Sequence, residues 1–218
     1  MELFSLQDWQ YMLLTLPILV MALSFHEYAH AYTANKLGDP TPKKQGRLTT
    51  NPLKHINLFG FLSFLLLGFG WARPVRTDST YFEKPRRDLA LVAVSGPLTN
   101  LFLAALFAVA IFIFFRMINP MLLQTSIAAF LVGEFLWSGF YLNLVFFFLN
   151  MLPIPPLDGS RLLYSLLPKG SDGAIIILER YGIFVLLFLI VSGTLGKILG
   201  PVVNSIVVKY ANLLVVLL

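Results

Sequence analysis

Cysteine is absent from the 218 residues, so the chain has no disulfide and no thiolate metal site. Charge is scarce. Only 12% of residues are Asp, Glu, Lys or Arg, where an ordinary soluble domain carries about a quarter. Histidine occurs three times, at His26, His30 and His55. Any metal site must therefore combine these rings with carboxylates. The shortage of polar residues leaves no room for a sizeable soluble domain beside the apolar runs. The chain is 57% hydrophobic with a mean hydropathy of +0.78, which reads as an all-α polytopic membrane protein forming a single domain over residues 1–218. The net charge of +5 is explained by membrane topology, and nucleic acid is not an expected partner.

About 20 helical residues cross the hydrocarbon layer. The first predicted span is 11–37, and Gly38-Asp39-Pro40-Thr41-Pro42 ends it. It is not expected to be a leader, because Glu2 and Asp8 stand where a basic segment belongs. The stretch from Lys36 to Arg87 holds ten of the sixteen basic residues, which places it on the cytoplasmic side. Its apolar part, Gly60 to Gly70, is too short to span and reads as re-entrant or interfacial. Residues 45–51 have the composition of a short strand or β-hairpin. Further spans are predicted at 88–115, 127–152 and 174–195. Residues 198–218 are long enough for a fifth, but Asn204, Lys209 and Asn212 interrupt them, so they read as either a span or an interfacial helix. The fold is thus four to five transmembrane helices with a re-entrant or hairpin loop in a multi-pass protein.

Within the first run lies Phe25-His26-Glu27-Tyr28-Ala29-His30. On a helix His26 and His30 share one face, so both rings can bind one Zn²⁺ while Glu27 reaches a water at the metal. Ionisable groups at membrane depth are costly, which favours a functional reading. A bland alternative is a pair of helix histidines bonded to their neighbours. A second polar element lies far along the chain, in Asn150-Met151-Leu152-Pro153-Ile154-Pro155-Pro156-Leu157-Asp158-Gly159. Three prolines break the helix there and free a carboxylate to turn inward. Counting spans from the charge pattern brings Asp158 to the same cytoplasmic side as the two histidines, which makes it the candidate third ligand. Its alternative role is to cap the short helix expected from Gly159 to Leu167.

These two segments together resemble the site-2 proteases, intramembrane zinc metalloproteases of peptidase family M50, and are most similar to the small prokaryotic members without PDZ or CBS domains. Two further blocks share the resemblance: Gly46-Arg47-Leu48-Thr49-x-Asn51-Pro52-Leu53-x-His55 and Ser95-Gly96-Pro97-Leu98-x-Asn100. Ser160 departs from it, standing where many members have a second glycine.

The resemblance implies cleavage of transmembrane or membrane-adjacent segments of other proteins, in a prokaryotic cytoplasmic membrane, with the site on the cytoplasmic side. One Zn²⁺ is expected on His26, His30 and Asp158, with Glu27 as general base. Asn100 and Asn150 are candidates for the oxyanion or substrate backbone, or for interhelical hydrogen bonds. His55 is a candidate accessory residue or an ordinary loop histidine. A helical substrate must unwind before its carbonyls are reachable, and residues 44–60 are expected to hold it by strand addition, unless they simply meet anionic headgroups. Two rival functions are a catalytically silent zinc-binding membrane protein and an ion pathway. Intact Glu27 argues against the first, and the clustering of the ionisable groups against the second.

Overall fold

The first helix, α1 (Leu6–Lys36), is 31 residues long, about 46 Å at 1.5 Å per residue, and so longer than the hydrocarbon layer is thick. Lys36 sits in its last turn, where the helix dipole favours a cation. Gly38 ends the helix at φ +103, a conformation that costs glycine little. Two backbone bonds close this end, Asp39 N–H to Ala34 and Gly38 N–H to Asn35, the paired pattern of a Schellman stop. Buried Asp39 then ties two loops together. It accepts from the backbone N–H of Thr41 and from that of Asp78, each at 2.8 Å.

The structure is a computed structural model that describes residues 6–67, 72–119, 121–122, 126–168 and 172–218. After α1 come α2 (Thr41–Lys44), a 3-10 turn at Pro52–Lys54, α3 (Leu58–Leu67) and a second 3-10 turn at Ser79–Tyr81. The long helices α4 (Pro85–Met117) and α5 (Ile127–Asn150) follow, then short α6 (Asp158–Leu166), α7 (Asp172–Val191) and α8 (Thr194–Leu217). Among the described residues four helices are long and apolar enough to cross a membrane: Trp9–Lys36, Pro85–Met117, Ile127–Asn150 and Thr194–Leu217. The chain is an all-α polytopic membrane protein. The segment expected at 174–195 forms α7, and the last segment is a single continuous helix.

Residues 45–51 do not form the expected hairpin, and no strand occurs among the described residues. Local bonds consume this segment instead. Gly46 turns at φ +66, Arg47 N–H bonds back to Pro42, and Asn51 caps the 3-10 turn by accepting from Leu53 N–H. Among the described residues the β-type contact is a single antiparallel bridge between Ile56 and Ala72, next to the 2.7 Å bond from Arg73 N–H to the His55 carbonyl. Of the re-entrant stretch expected at 60–70, residues 60–67 are helical, as part of α3, while 68–70 lie outside the described residues.

Helix α4 is central and packs against α1, α5 and α6. Its apolar contact with α5 and α8 is built from Ala104, Ile111, Phe140, Leu144, Val203 and Leu214. Close approach depends on small residues. A Cβ at Gly139 would collide with the Phe107 ring, and one at Gly159 with the carbonyls of Met151 and Leu152. Gly159 therefore lets the proline-rich turn fold back tightly where α6 begins. The outer face of α7 is apolar and exposed, as Phe184 and Phe188 show, and suits contact with lipid rather than water.

Candidate metal centre

His26 and His30 face α4 from one side of α1, and both are buried. The two helices can come this close because Gly96 has no side chain. A Cβ there would lie 2.5 Å from His30 Nε2 and 2.7 Å from His26 Cε1. Each ring is held through Nδ1. His26 Nδ1 is 2.6 Å from Asn100 Oδ1, and His30 Nδ1 is 2.7 Å from the Val92 carbonyl. Both partners are acceptors, so each Nδ1 carries the proton and each Nε2 presents a lone pair.

These lone pairs meet the third group. Asp158 Oδ2 lies 3.0 Å from His26 Nε2 and 3.2 Å from His30 Nε2, and the two Nε2 atoms are 3.0 Å apart. Asp158 is the first residue of α6 and makes no cap. Leu157 occupies the cap position, and that end has no side-chain cap bond. With both Nδ1 atoms protonated, three acceptors converge with no proton among them, an arrangement that repels itself unless a cation lies between. Tetrahedral ligands at about 2.0 Å from zinc lie about 3.3 Å apart, close to the spacing of these atoms. His26, His30 and Asp158 could hold a metal ion.

Glu27 is buried beside them. Its Oε2 accepts from the Val75 N–H at 2.9 Å, so the loop after Ala72 fixes the carboxylate. Asn100 is fully buried and spends its amide on helix contacts. Its Nδ2 donates to Asn143 Oδ1 at 3.1 Å, and Asn143 donates to the Gly139 carbonyl at 2.8 Å. A chain of amides thus runs from α5 through α4 to the His26 ring. Asn150 bonds to the Phe146 carbonyl of its own helix. His55 is buried in the loop, with Nε2 2.7 Å from the Thr49 carbonyl, and is not one of the converging donors. Sequence reasoning missed Asn143, Val92 and Val75. Asn143 left a signal, an amide within an apolar span four residues after a glycine. The other two act through backbone atoms, which residue identity does not reveal.

Residues 115–191 match the family model described as Peptidase family M50. Three similar proteins have names beginning "Putative zinc metalloprotease". YwhC of Bacillus subtilis (strain 168) is 42% identical over 93% of this chain and 90% of its own. Rip2 of Mycobacterium tuberculosis (strain ATCC 25618 / H37Rv) is 30% identical over 81% of this chain and 66% of its own. MJ0611 of Methanocaldococcus jannaschii is 30% identical over 64% of this chain and 63% of its own. No solved structure matches the chain significantly. Similarity along almost the whole of YwhC, joined to a membrane fold in which two imidazoles and a carboxylate converge, places the chain in peptidase family M50 as a zinc metalloendopeptidase of the site-2 protease type.

Proposed function

We propose that the protein hydrolyses peptide bonds in or near transmembrane segments of other membrane proteins, with one zinc ion on His26, His30 and Asp158 and with Glu27 as general base. The observation that carries this reading is the convergence of three potential ligand atoms within 3.2 Å of one another, contributed by segments 128 residues apart. Zinc bound there supplies Lewis acidity, which polarises a scissile carbonyl and makes water nucleophilic near neutral pH.

The chain supplies the rest. Glu27 takes the proton of the attacking water and returns it to the leaving amine. The Val75 amide keeps that carboxylate oriented. Asn100 and the Val92 carbonyl fix both imidazoles in the tautomer that leaves Nε2 free. Burial of His26, Glu27 and His30 keeps bulk water from competing. Asn100 fits this scheme as a positioning residue for His26, since its side-chain oxygen is spent on that ring.

The chain is read as one integral-membrane domain in a prokaryotic cytoplasmic membrane, with α1, α4, α5 and α8 spanning and α7 as a fifth span. The basic stretch from Lys36 to Arg87 supports a cytoplasmic site. The test pairs metal analysis of purified protein with cleavage of a single-span substrate in vesicles. Glu27→Gln is expected to retain zinc and lose cleavage. Cleavage at the wild-type rate by that variant would remove Glu27 as the base, and a wild-type protein that binds zinc but cleaves nothing would favour the silent zinc binder.

A further inference from the structure

An open cavity of about 600 Å³ lies outside the metal centre, lined by residues from 45–47, 53–54 and 73–76. Arg47, Lys54, Arg73 and Arg76 line it, and among the described residues no acidic side chain does. Lys54, Arg73 and Arg76 are exposed, but Arg47 is only 5% exposed. Its Nη1 is buried and has no hydrogen-bond partner among the described residues. A guanidinium stays charged at any ordinary pH, so a buried, unpaired donor on it is costly. Burial lowers the Arg47 pKa, as does the charge of Arg73, while Glu27 opposes them. One carboxylate, already engaged by Val75, does not balance four cations.

The surroundings indicate what does. Lys54 ends the 3-10 turn just before α3, on which Leu58, Phe59 and Leu66 are 66%, 74% and 70% exposed. Leu53, in the cavity wall, is 79% exposed. An exposed Leu53 in a cationic wall, followed in the chain by the exposed apolar side chains of α3, suits a membrane surface, where acyl chains take the apolar groups and phosphates the cations. A soluble acidic peptide would leave that apolar border uncovered.

We propose that this cavity binds the phosphate of an anionic phospholipid, with Arg47, Lys54, Arg73 and Arg76 as its cationic wall. The bound phosphate also acts on the neighbouring carboxylate. Pro74 lines the cavity, and the next residue, Val75, donates its N–H to Glu27. A phosphate held between Arg47 and Arg73 fixes the segment that orients Glu27. This regulatory half rests on the protease reading above, whereas the binding half does not.

The experiment places the full-length protein in phosphatidylcholine vesicles containing a minor fraction of spin-labelled phosphatidylglycerol and measures the immobilised lipid. The wild type is expected to hold phosphatidylglycerol. Arg47→Gln weakens its association about fivefold, and Lys54→Gln with Arg76→Gln weakens it further, at about fivefold per cation removed. Arg116→Gln, which alters an exposed cation at the opposite end of α4 from the basic stretch, changes nothing. The exposed double variant keeps the test alive if Arg47→Gln fails to fold. Unchanged association in the variants would overturn the site. Displacement of the lipid by millimolar inorganic phosphate, or stronger binding of an acidic peptide, would overturn the lipid as its occupant. Wild-type cleavage that is equally fast with and without phosphatidylglycerol would overturn the coupling to Glu27. Absence of cleavage in every vesicle, with lipid binding intact, would instead count against the protease reading.

Discussion

The Nδ1 atom of His26 lies 2.6 Å from Oδ1 of Asn100, which stands 74 residues further along the chain on a different helix. Asn100 thereby sets which nitrogen of His26 is free, and Asn143 sets the orientation of Asn100. Replacing Asn100 with Leu removes the acceptor and lets the ring rotate or change tautomer. Loss of such an outer partner typically weakens metal affinity about 10–100-fold. Zinc competition against a chromophoric chelator measures this. An affinity equal to the wild type's would show that the ring needs no such support.

Asp158 predicts how metal removal affects stability. Zinc that binds only the folded protein, at about a hundred times its dissociation constant, stabilises by about 2.7 kcal/mol. For a chain of this length that corresponds to a midpoint shift of about 5–10 °C. Chelation is therefore expected to lower the thermal midpoint of the wild type by about that amount. Asp158→Ala begins near the chelated value and barely responds to chelator. Differential scanning fluorimetry in detergent reads both, and an equal response in the two proteins would place the stabilising metal elsewhere.

Much of this site was legible in the sequence because its groups are expensive where they stand. His26, Glu27 and His30 interrupt an apolar run, and Asp158 follows three prolines that no helix continues. The long helices were legible for the same reason, since lipid allows few alternatives to a helix. The loop was not. Thr49 and Thr50 favour strand, but a left-handed Gly46 and a capping Asn51 close the segment into turns first. Pairing moved to Ile56 and Ala72, which only the folded chain brings together. His55 resembled an accessory group by type, yet its ring staples the loop through the Thr49 carbonyl.

Gly96 is a sharper probe than the ligands because it changes no donor. In Gly96→Ala the new methyl would lie 2.5 Å from His30 Nε2, so α1 and α4 must separate or the ring must leave its place. Zinc content is expected to fall at least about tenfold, as for a displaced ligand shell, while helicity by circular dichroism is kept. Gly200→Ala is the control, since nothing lies within 4 Å of a Cβ there. A Gly96→Ala protein with full zinc occupancy would show that the helices yield easily at this contact.

Val75 separates orientation of the base from binding of the metal. Its N–H holds Glu27 Oε2 at 2.9 Å and touches none of the three converging donors. Proline at this position deletes the donor, and Val75 lies outside every helix, so no ladder bond is lost with it. Val75→Pro should keep its zinc, whereas cleavage slows at least about tenfold, a part of the 10²–10⁴-fold that a positioned general base contributes. The loss belongs in kcat rather than KM, because the amide acts on the carboxylate and not on the substrate. Val75→Ala retains the amide and should cleave at close to the wild-type rate. If the alanine variant slowed as much as the proline one, the valine side chain would be the important element and the hydrogen bond to Glu27 would have no part in orienting the base.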